Sequence, residues 1–388
     1  MSRYLRRVAI LALCLAALSG GMVFAEPFFL ITNEHDDPRP GVAKYSLTGS
    51  WLGRWAPSNP LVTCRGSGVV QMGSYVYVAV RYQHRIDKYG TSGSFIGSFA
   101  SYDPMGMTTL GGNLWVTSWT GQSVTGYDTD GAPLGVSKGF NGPLADIAAG
   151  PDGFLYVTGF VDGTVWKWNP SSPEDAPEVV MSGILRPYGV GVDGTDVYAS
   201  SWDDAGYIYR NGEIFDLNRT FKQARGMFAY HGKLYFCDYW HKIHKYNLSN
   251  GAYEGFFGGS VPELWTPMDI TVVVPPAGTL SGTVTLEDYT GDKRLCVVQI
   301  ELCQAGVVKK TERVRLDSAG MYEIANVDPG TYDVSFKASQ WLKNAAPSVN
   351  VPEGGSAECN ITLVNGDSDG DDEVTTTDLC ATLKYVSE

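Results

Sequence analysis

A short phrase that occurs six times is the feature that most limits how this chain can fold. The central residue of each copy is a glycine or an aspartate. A Gly-containing turn and then a strand rich in Tyr and Trp follow it. The copies are Ser67-Gly68-Val69, Met105-Gly106-Met107, Ala145-Asp146-Ile147, Tyr188-Gly189-Val190, Arg225-Gly226-Met227 and Met268-Asp269-Ile270. Successive copies lie 38, 40, 43, 37 and 43 residues apart, a spacing typical of β-propeller blades.

One repeat shows how each unit is built. Asp146–Ala149 predicts an inner strand, Pro151-Asp152-Gly153 predicts a turn, and Phe154–Thr158 and Thr164–Trp168 predict two further strands. Turn residues between aromatic and β-branched runs are the signal of β-hairpins. Such a small sheet cannot bury both of its faces alone, so the units must pack around a common axis. The sequence therefore predicts an all-β chain whose body is a six-bladed β-propeller.

The two ends of this region complement each other. Met268–Val273 predicts an inner strand with no blade after it, whereas Phe28–Asn33 and Gly41–Leu47 predict later strands of a blade that lacks an inner strand. Together they make one shared blade, which closes the ring and removes exposed sheet edges. We expect the propeller to occupy residues 26–275.

The segment Ile147–Val157 (Ile-Ala-Ala-Gly-Pro-Asp-Gly-Phe-Leu-Tyr-Val) resembles NHL-type and streptogramin-lyase-like six-bladed propellers. The resemblance covers the predicted propeller and implies its fold, but such propellers serve as lyases, lactonases and binding scaffolds alike. A streptogramin-lyase-like enzyme needs a histidine and glutamate constellation beside a magnesium ion, and the sequence does not show one at matching spacing. Asp146 and Asp269 match only part of the metal set of regucalcin-like lactonases.

One face of the predicted propeller collects aromatic and arginine side chains. The loops between second and third strands, and the loops that precede the inner strands, meet on the same face around the channel. The candidate ligand-binding residues at these positions are Arg65, Arg81, Trp119, Phe160, Arg186, Trp202, Arg225 and Tyr239. Aromatic faces and guanidinium groups can bind a polysaccharide or a peptide. The alternative is that the aromatic residues fill gaps between blades and the arginines pair with nearby acids.

Histidines give little support to an enzyme. Of five histidines, only His84 and His241 fall on the candidate face, and a general acid–base mechanism needs a convergent set of groups. We therefore expect an exported, non-catalytic binding or scaffold protein. The alternative is an extracellular hydrolase or lyase that acts on saccharides or lactones through the propeller channel.

The N-terminus predicts export. Arg3, Arg6 and Arg7 precede an apolar run, Val8–Leu18, and small residues that end at Ala25, which is the pattern of a secretory signal peptide over residues 1–25. The run is too short to span a bilayer, so we expect a secreted protein, extracellular or periplasmic after signal-peptide cleavage, with no membrane insertion. Loss of three arginines lowers the formal net charge from −13 to −16, which argues against nucleic acid as a partner.

A second domain is predicted after the short linker Pro275–Gly278. Six or seven short alternating strands within residues 279–363 predict a small immunoglobulin-like or transthyretin-like β-sandwich. The predicted strands are Leu280–Leu286, Val297–Leu302, Val307–Leu316, Gly320–Ile324, Gly330–Phe336 and Ala357–Leu363. The phrases Gly282–Val284, Asp317–Tyr322 and Val327–Tyr332 resemble carboxypeptidase regulatory-like modules, which implies a spacer or adhesion role.

The last 25 residues, 364–388, carry the sharpest motif. Oxygen-bearing residues at positions 1, 3, 5, 7, 9 and 12 of a loop supply the ligands that Ca²⁺ prefers; they are Asp367, Asp369, Asp371, Glu373 (through its carbonyl), Thr375 and Asp378. Asp at position 12, with no preceding helix, resembles a single dockerin repeat, which implies a cohesin-like partner or a cell-surface partner.

Three further expectations concern this loop. Position 6 is Asp372 instead of the usual glycine, Val374 at position 8 is expected to enter a core, and Leu379 is expected to begin a helix. The alternative to calcium binding is a solvated acidic tail.

Overall fold

The computed structural model describes residues 27–33, 41–56, 66–259 and 264–378. The predicted signal peptide, Arg65 and the predicted helix from Leu379 lie outside the described residues. Backbone contacts divide the chain into two compact units that meet between Val274 and Pro275. Among the described residues, no helix has the length and apolar character needed to cross a bilayer.

The first unit consists of six antiparallel sheets of four strands each. Blade 1 has the strand order β24-β1-β2-β3, and blades 2 to 6 contain β4–β7, β8–β11, β12–β15, β16–β19 and β20–β23. The strands are β1 (Phe28–Asn33), β2 (Val42–Ser46), β3 (Trp51–Arg54), β4 (Gly66–Met72), β5 (Tyr75–Val80), β6 (Arg85–Gly90), β7 (Phe95–Ala100), β8 (Pro104–Leu110), β9 (Asn113–Ser118), β10 (Ser123–Tyr127), β11 (Pro133–Gly139), β12 (Leu144–Ala149), β13 (Leu155–Gly159), β14 (Thr164–Trp168), β15 (Glu178–Met181), β16 (Pro187–Asp193), β17 (Asp196–Ser201), β18 (Ile208–Arg210), β19 (Glu213–Ile214), β20 (Met227–Tyr230), β21 (Lys233–Cys237), β22 (Lys242–Asn247), β23 (Tyr253–Gly258) and β24 (Pro267–Val273). A 3₁₀ turn, Arg81–Gln83, follows β5.

The ring closes through the first blade, as the sequence predicts. β24 pairs antiparallel with β1, so that Phe28 lies opposite Val273 and Ile31 lies opposite Ile270. The inner strands β24, β4, β8, β12, β16 and β20 contact one another in this order around the axis, and β20 returns to β24. The predicted all-β fold class with a six-bladed propeller is confirmed.

The core of the propeller is divided into layers between blades. Among the described residues, six hydrophobic clusters each join two neighbouring blades. For example, Phe29 of β1 and Tyr235 of β21 pack with ring centres 4.8 Å apart, which joins blades 1 and 6. Burial of side chains of this size stabilises the fold by about 1.5–3 kcal/mol each. The ring is held by many such contacts instead of one central core.

The second unit is a β-sandwich. One sheet has the order β28-β25-β32, with β33 also paired to β25, and the other has the order β27-β26-β29-β31. Tyr322 and Phe336, one from each sheet, meet edge to face at 5.5 Å inside the shared core. The elements are β25 (Gly278–Leu286), a 3₁₀ turn (Lys293–Leu295), β26 (Val297–Gln304), β27 (Val307–Arg315), β28 (Met321–Val327), β29 (Gly330–Ala338), β30 (Gln340–Trp341), β31 (Asn344–Val351), β32 (Ser356–Glu358), β33 (Ile361–Leu363) and β34 (Asn365–Asp367).

Two predictions for the sandwich need correction. The strand Asn344–Val351 was not predicted, because its mostly exposed residues show no apolar alternation. The predicted strand Ala357–Leu363 is two strands, β32 and β33, both parallel to β25. The break falls at Cys359, whose N–H donates to the Ser281 carbonyl at 2.8 Å. A side chain on Gly282 would place its Cβ 2.1 Å from the Cys359 carbonyl oxygen, so the close approach needs glycine.

Candidate functional site at the mouth of the propeller

Six of the eight predicted ligand-binding residues line one cavity at the mouth of the propeller, which we call the mouth cavity. It has a volume of about 620 Å³, within the range of small-molecule sites. Its lining residues are Arg81, Trp119, Phe160, Val161, Ile184, Leu185, Arg186, Tyr188, Trp202, Arg225 and Met268. Tyr239 does not line it, and its ring centre lies 5.7 Å from the Arg225 guanidinium carbon. Arg65 lies outside the described residues.

Backbone hydrogen bonds fix the three aromatic residues of this cavity. The N–H of Trp119, Phe160 and Trp202 each donates to a carbonyl in the loop that precedes the inner strand of the same blade, at 2.9 to 3.1 Å. In two blades that carbonyl belongs to Asp103 or Arg186, each followed by proline and each in the left-handed region with φ of 46° and 50°. Non-glycine residues adopt this conformation only where the surrounding structure imposes it. The loops therefore hold the aromatic residues in place before any ligand arrives.

The aromatic rings form a continuous wall. The ring centre of Phe160 lies 4.8 Å from that of Trp119 and 5.8 Å from that of Trp202, with interplanar angles of 53° and 61°. All three pack on a buried cluster, which we call the floor, formed by Met105, Ala145, Tyr188 and Met268 of the inner strands. None of the three belongs to the buried cores of the six clusters that join pairs of blades. The three rings contact one another across blades 3, 4 and 5, as the alternative interpretation expects, and they also line the mouth cavity.

The three arginines of the mouth cavity differ in their surroundings. Arg81 Nε donates to Asp103 Oδ1 at 2.8 Å, which is the local pairing that the alternative interpretation expects. Arg225 is 3% exposed, and its Nη1 lies 2.7 Å from Met268 Sδ. Arg186 is exposed, with its guanidinium carbon 5.7 Å from the Trp202 ring centre. Arg186 has no ion pair among the residues that the structure describes.

Asp103 is held in its charged form. Burial alone raises the pKa of its carboxyl, but hydrogen bonds from Arg81 and from Thr120 outweigh burial and lower the pKa below its ordinary value. The Thr120 N–H donates to Oδ2 at 3.0 Å. Because both carboxylate oxygens have these donors, Asp103 orients Arg81 and does not present a basic group to the cavity.

Asp146 and Asp269 lie one residue further along the inner strands than the floor residues Ala145 and Met268, and they do not line the mouth cavity. They line a cavity of about 130 Å³ on the other side of the floor. Asp146 Oδ2 accepts the N–H of Val190 in the next blade at 3.1 Å, and Asp269 Oδ2 accepts the Val69 N–H at 2.9 Å. Each carboxylate thus ties its inner strand to the next one around the ring.

These two carboxylates resist ionisation. Burial raises the pKa of Asp146 to about 7, although hydrogen bonds from backbone N–H groups to its carboxylate lower this pKa. Burial, and then the charge of Asp146, raise the pKa of Asp269 well above its ordinary value. The sequence itself distinguishes these two positions. In chain order, the central residues of the six repeated phrases are Gly, Gly, Asp, Gly, Gly and Asp. The ring therefore has an approximate twofold repeat within its six blades.

The two histidines of the candidate face have structural partners. His84 Nδ1 accepts the Asp103 N–H at 3.0 Å, and its ring stacks on Tyr102 at 5.1 Å. His241 Nδ1 accepts the Thr266 N–H at 3.0 Å in the same way. Both residues adopt the left-handed conformation. Each histidine joins its loop to the next blade and is absent from the lining of the mouth cavity.

A second cleft of about 490 Å³ lies on blade 6, and the sequence did not predict it. At its base the His244 ring is buried, with Nε2 2.9 Å from Asp238 Oδ2 and Nδ1 2.8 Å from the Tyr253 hydroxyl. Both ring nitrogens therefore have partners. Among its cations, Lys222 Nζ pairs with Asp204 at 2.7 Å and Arg219 Nε lies 3.5 Å from Asp216 Oδ2. Lys242 Nζ lies 4.3 Å from the centre of the Phe256 ring.

The C-terminal loop brings together three of the predicted calcium ligands. One ligand oxygen each from Asp367, Asp369 and Asp371 lies within 4.8 Å of the others. Asp378 does not belong to this group, and its carboxylate accepts the N–H of Ser368 at 2.7 Å and of Thr375 at 2.6 Å. This closes the loop end to end. Three clustered carboxylates fit a hard cation such as Ca²⁺.

Two other residues of the loop, at positions 8 and 6, bear on the sequence prediction. Val374 is 59% exposed and does not enter a core. Its side chain lies close over Gly366, where an added Cβ would come within 3.0 Å of Val374 Cγ2. Asp372 adopts φ of 68°, the conformation for which glycine is preferred at position 6.

The loop is anchored to the sandwich. β34 pairs with β30, so that Gln340 lies opposite Asp367. The Lys337 ammonium contacts Asp367 Oδ2 and lies 2.6 Å from Asp372 Oδ1. A hydrogen bond from Lys337 is the main cause that lowers the pKa of Asp372. Lys337 therefore compensates the charge of two loop carboxylates.

Comparison with known proteins agrees with the fold of the first unit. No protein-family model and no curated protein matches the sequence. A chain from a nidogen/laminin complex matches with a TM-score of 0.50 and 12% identity over 63% of this chain and 98% of the other. A streptogramin B lyase (TM-score 0.45, 13% identity, 63% and 87% covered) and virginiamycin B lyase from Staphylococcus aureus (0.43, 14%, 60% and 84%) also match. At 12% identity, the likeness to the first of these concerns the fold alone.

Proposed function

We propose that this protein is an exported, non-catalytic binding protein whose propeller mouth holds a saccharide or peptide ligand. The observation that carries the proposal is the mouth cavity itself. Six of the residues that the sequence predicts to bind a ligand line this cavity of about 620 Å³. Its aromatic wall is held by backbone hydrogen bonds, and its apolar floor is the buried cluster described above. Preorganised aromatic anchors of this kind favour binding because little order is lost when the ligand arrives.

The chemistry of the lining favours binding over catalysis. Among the described residues that line the mouth cavity there is no carboxylate, imidazole or thiol, and these groups perform most acid–base and nucleophilic catalysis. Asp103 is committed to Arg81. The competing proposal, a hydrolase or lyase acting on saccharides or lactones through the channel, predicts turnover by the purified protein.

A binding screen with two tryptophan variants tests the proposal. The purified chain is screened against panels of oligosaccharides, peptides and lactones, and each hit is measured again with Trp202→Ala and Trp240→Ala. Trp240 is 56% exposed and does not line the mouth cavity, so it is the matched control. We expect Trp202→Ala to weaken binding at least about tenfold, since truncation of an aromatic anchor at a binding interface costs about 2 kcal/mol or more. Hits that ignore Trp202, or conversion of any panel member to product, would contradict the proposal.

We also propose that the C-terminal loop binds Ca²⁺ and docks the protein to a cohesin-like partner or a cell surface. The clustered carboxylates of Asp367, Asp369 and Asp371 support the calcium part. Calorimetric titration of the full chain with Ca²⁺ should give a binding isotherm that Asp369→Ala plus Asp371→Ala abolishes. Glu323→Ala, an exposed carboxylate on β28, is the control. Absence of heat at millimolar Ca²⁺, or an isotherm unchanged in the double variant, refutes calcium binding at this loop.

A further inference from the structure

The mouth cavity and the chain as a whole carry opposite charges. The chain has a formal net charge of −13, yet three arginines and no described Asp or Glu line the cavity. Arg81 is neutralised by Asp103, whereas exposed Arg186 has no acidic partner among the described residues. Arg225 also lines this space but is buried, so Arg186 is the guanidinium that a ligand can reach. This exposed cation favours an anion over a neutral ligand.

We propose, on the basis of the proposed function above, that the mouth cavity binds the acidic end of a saccharide, with a sugar carboxylate on Arg186 and the sugar ring against Trp202. The planar guanidinium can hold a carboxylate through two parallel N–H···O bonds. The guanidinium carbon of Arg186 lies 5.7 Å from the Trp202 ring centre. One sugar unit is large enough to contact both groups at once.

The narrow space beneath the cavity selects an end of a chain. The cavity that Met105, Ala145, Tyr188 and Met268 line at the axis has a volume of only about 10 Å³, so a saccharide chain cannot thread through the channel. The volume of about 620 Å³ is suited to a short oligosaccharide. A terminal acidic unit can enter and place its carboxylate beside the arginines, while the rest of the saccharide extends into solvent.

The lining also favours a sugar over an acidic peptide. Extended peptides are commonly bound by adding a strand to an exposed sheet edge. In the propeller the inner strands are paired on one side and contact one another around the axis, and the mouth cavity is lined mostly by side chains from loops. The Arg81 guanidinium carbon lies 5.0 Å over the Trp119 ring and that of Arg186 lies 5.7 Å over the Trp202 ring. Aromatic surface directly beside a guanidinium suits a sugar ring that carries a carboxylate.

The test compares a trisaccharide of galacturonic acid with its methyl ester, which keeps the skeleton and removes the negative charge. Calorimetry on the full chain should show that the acid binds at least about tenfold more tightly than the ester, since hydrogen bonds to charged groups contribute roughly 1.5–3 kcal/mol. Arg186→Gln should remove most of this preference, because it weakens binding of the acid far more than binding of the ester. Arg186→Lys should retain part of it. Arg54→Gln, on the outer strand of blade 1, is the control.

Each outcome decides the inference. The inference is overturned by equal binding of acid and ester, or by tighter binding of a sulfated trisaccharide or of an acidic peptide than of the acid. It is also overturned if none of these probes binds, or if the preference for the acid survives Arg186→Gln. The proposed function fails separately. A neutral hit from the panel that depends on Trp202 leaves the binding function intact and refutes only the acidic ligand, whereas a panel without any hit that depends on Trp202 refutes both.

Discussion

Replacement of Asp146 by asparagine should change how the stability of the propeller depends on pH. Asp146 is 5% exposed, and burial raises the pKa of its carboxyl from 3.8 to about 7. The folded protein therefore binds a proton more tightly than the unfolded chain does. Stability from this group is complete below about pH 4, and it is lost as the pH rises through the folded-state value near 7.

The size of the effect follows from that difference. A shift of about 3 units at 1.36 kcal/mol per unit gives at most about 4 kcal/mol between pH 4 and pH 8. Asp269 shares the titration, because the charge of Asp146 also raises the pKa of Asp269, so the loss is spread over a wider pH range. Asparagine keeps one carbonyl oxygen for the Val190 N–H but loses the second acceptor, a cost of about 1–3 kcal/mol that does not depend on pH.

Urea unfolding followed by tryptophan fluorescence at pH 4.5, 5.5, 6.5 and 7.5 measures the difference. The free energy of unfolding of the wild type relative to Asp146→Asn should fall steadily across this series. Asp152→Asn is a control without pH dependence over this series, because hydrogen bonds from Lys167 and Tyr156 outweigh burial and lower the pKa of Asp152 below 3.8. Its carboxylate is ionised in the folded and in the unfolded chain throughout the series, so the difference between wild type and Asp152→Asn should stay constant. A constant difference between wild type and Asp146→Asn would refute the assignment of a raised pKa to this carboxyl.

Two further predictions concern packing at the axis and the C-terminal loop. Gly189→Ala should lower the free energy of unfolding by about 1–3 kcal/mol or more, because its Cβ would lie 2.2 Å from the Arg225 carbonyl oxygen. Gly97→Ala is the control and should be near neutral, because the space around its Cβ is open. Equal urea midpoints for the two variants would contradict this prediction. Lys337→Met should lower the melting temperature of the calcium-free second unit and enlarge the upward shift caused by Ca²⁺, because Asp367 loses a compensating charge; an unchanged shift in calorimetric scans would contradict that role.

The propeller was predictable because its signal is repeated. Each phrase supplies a weak local pattern, but six copies at blade spacing, together with Met268–Val273 matching the incomplete blade at Phe28–Asn33, determine both the fold and its closure. The site residues followed from equivalence between blades, since Trp119, Phe160 and Trp202 occupy the same loop position in successive repeats.

Other features depend on contacts that no local pattern contains. Tyr239 has the right loop position, yet it lies outside the mouth cavity. Val161, Ile184 and Leu185 join the lining from loops that the repeat leaves variable. The split between β32 and β33 depends on the close approach of Gly282 to Cys359, residues far apart in the sequence.

The structure of the C-terminal loop is also only partly predictable from its sequence. The spacing of its carboxylates is visible in the sequence, but the contact from Lys337, a residue 30 positions before Asp367, is not. Val374 shows the opposite error, because an apolar residue in the expected position remains exposed.

We propose that this protein binds its ligand in the mouth cavity. A crystal structure of the full chain with the tightest ligand from the binding screen is the most direct test. We expect ligand density above the floor formed by Met105, Ala145, Tyr188 and Met268, in contact with Trp202 and Arg186. Ligand density in the cleft beside His244, or on the sandwich, with an empty mouth cavity would contradict it.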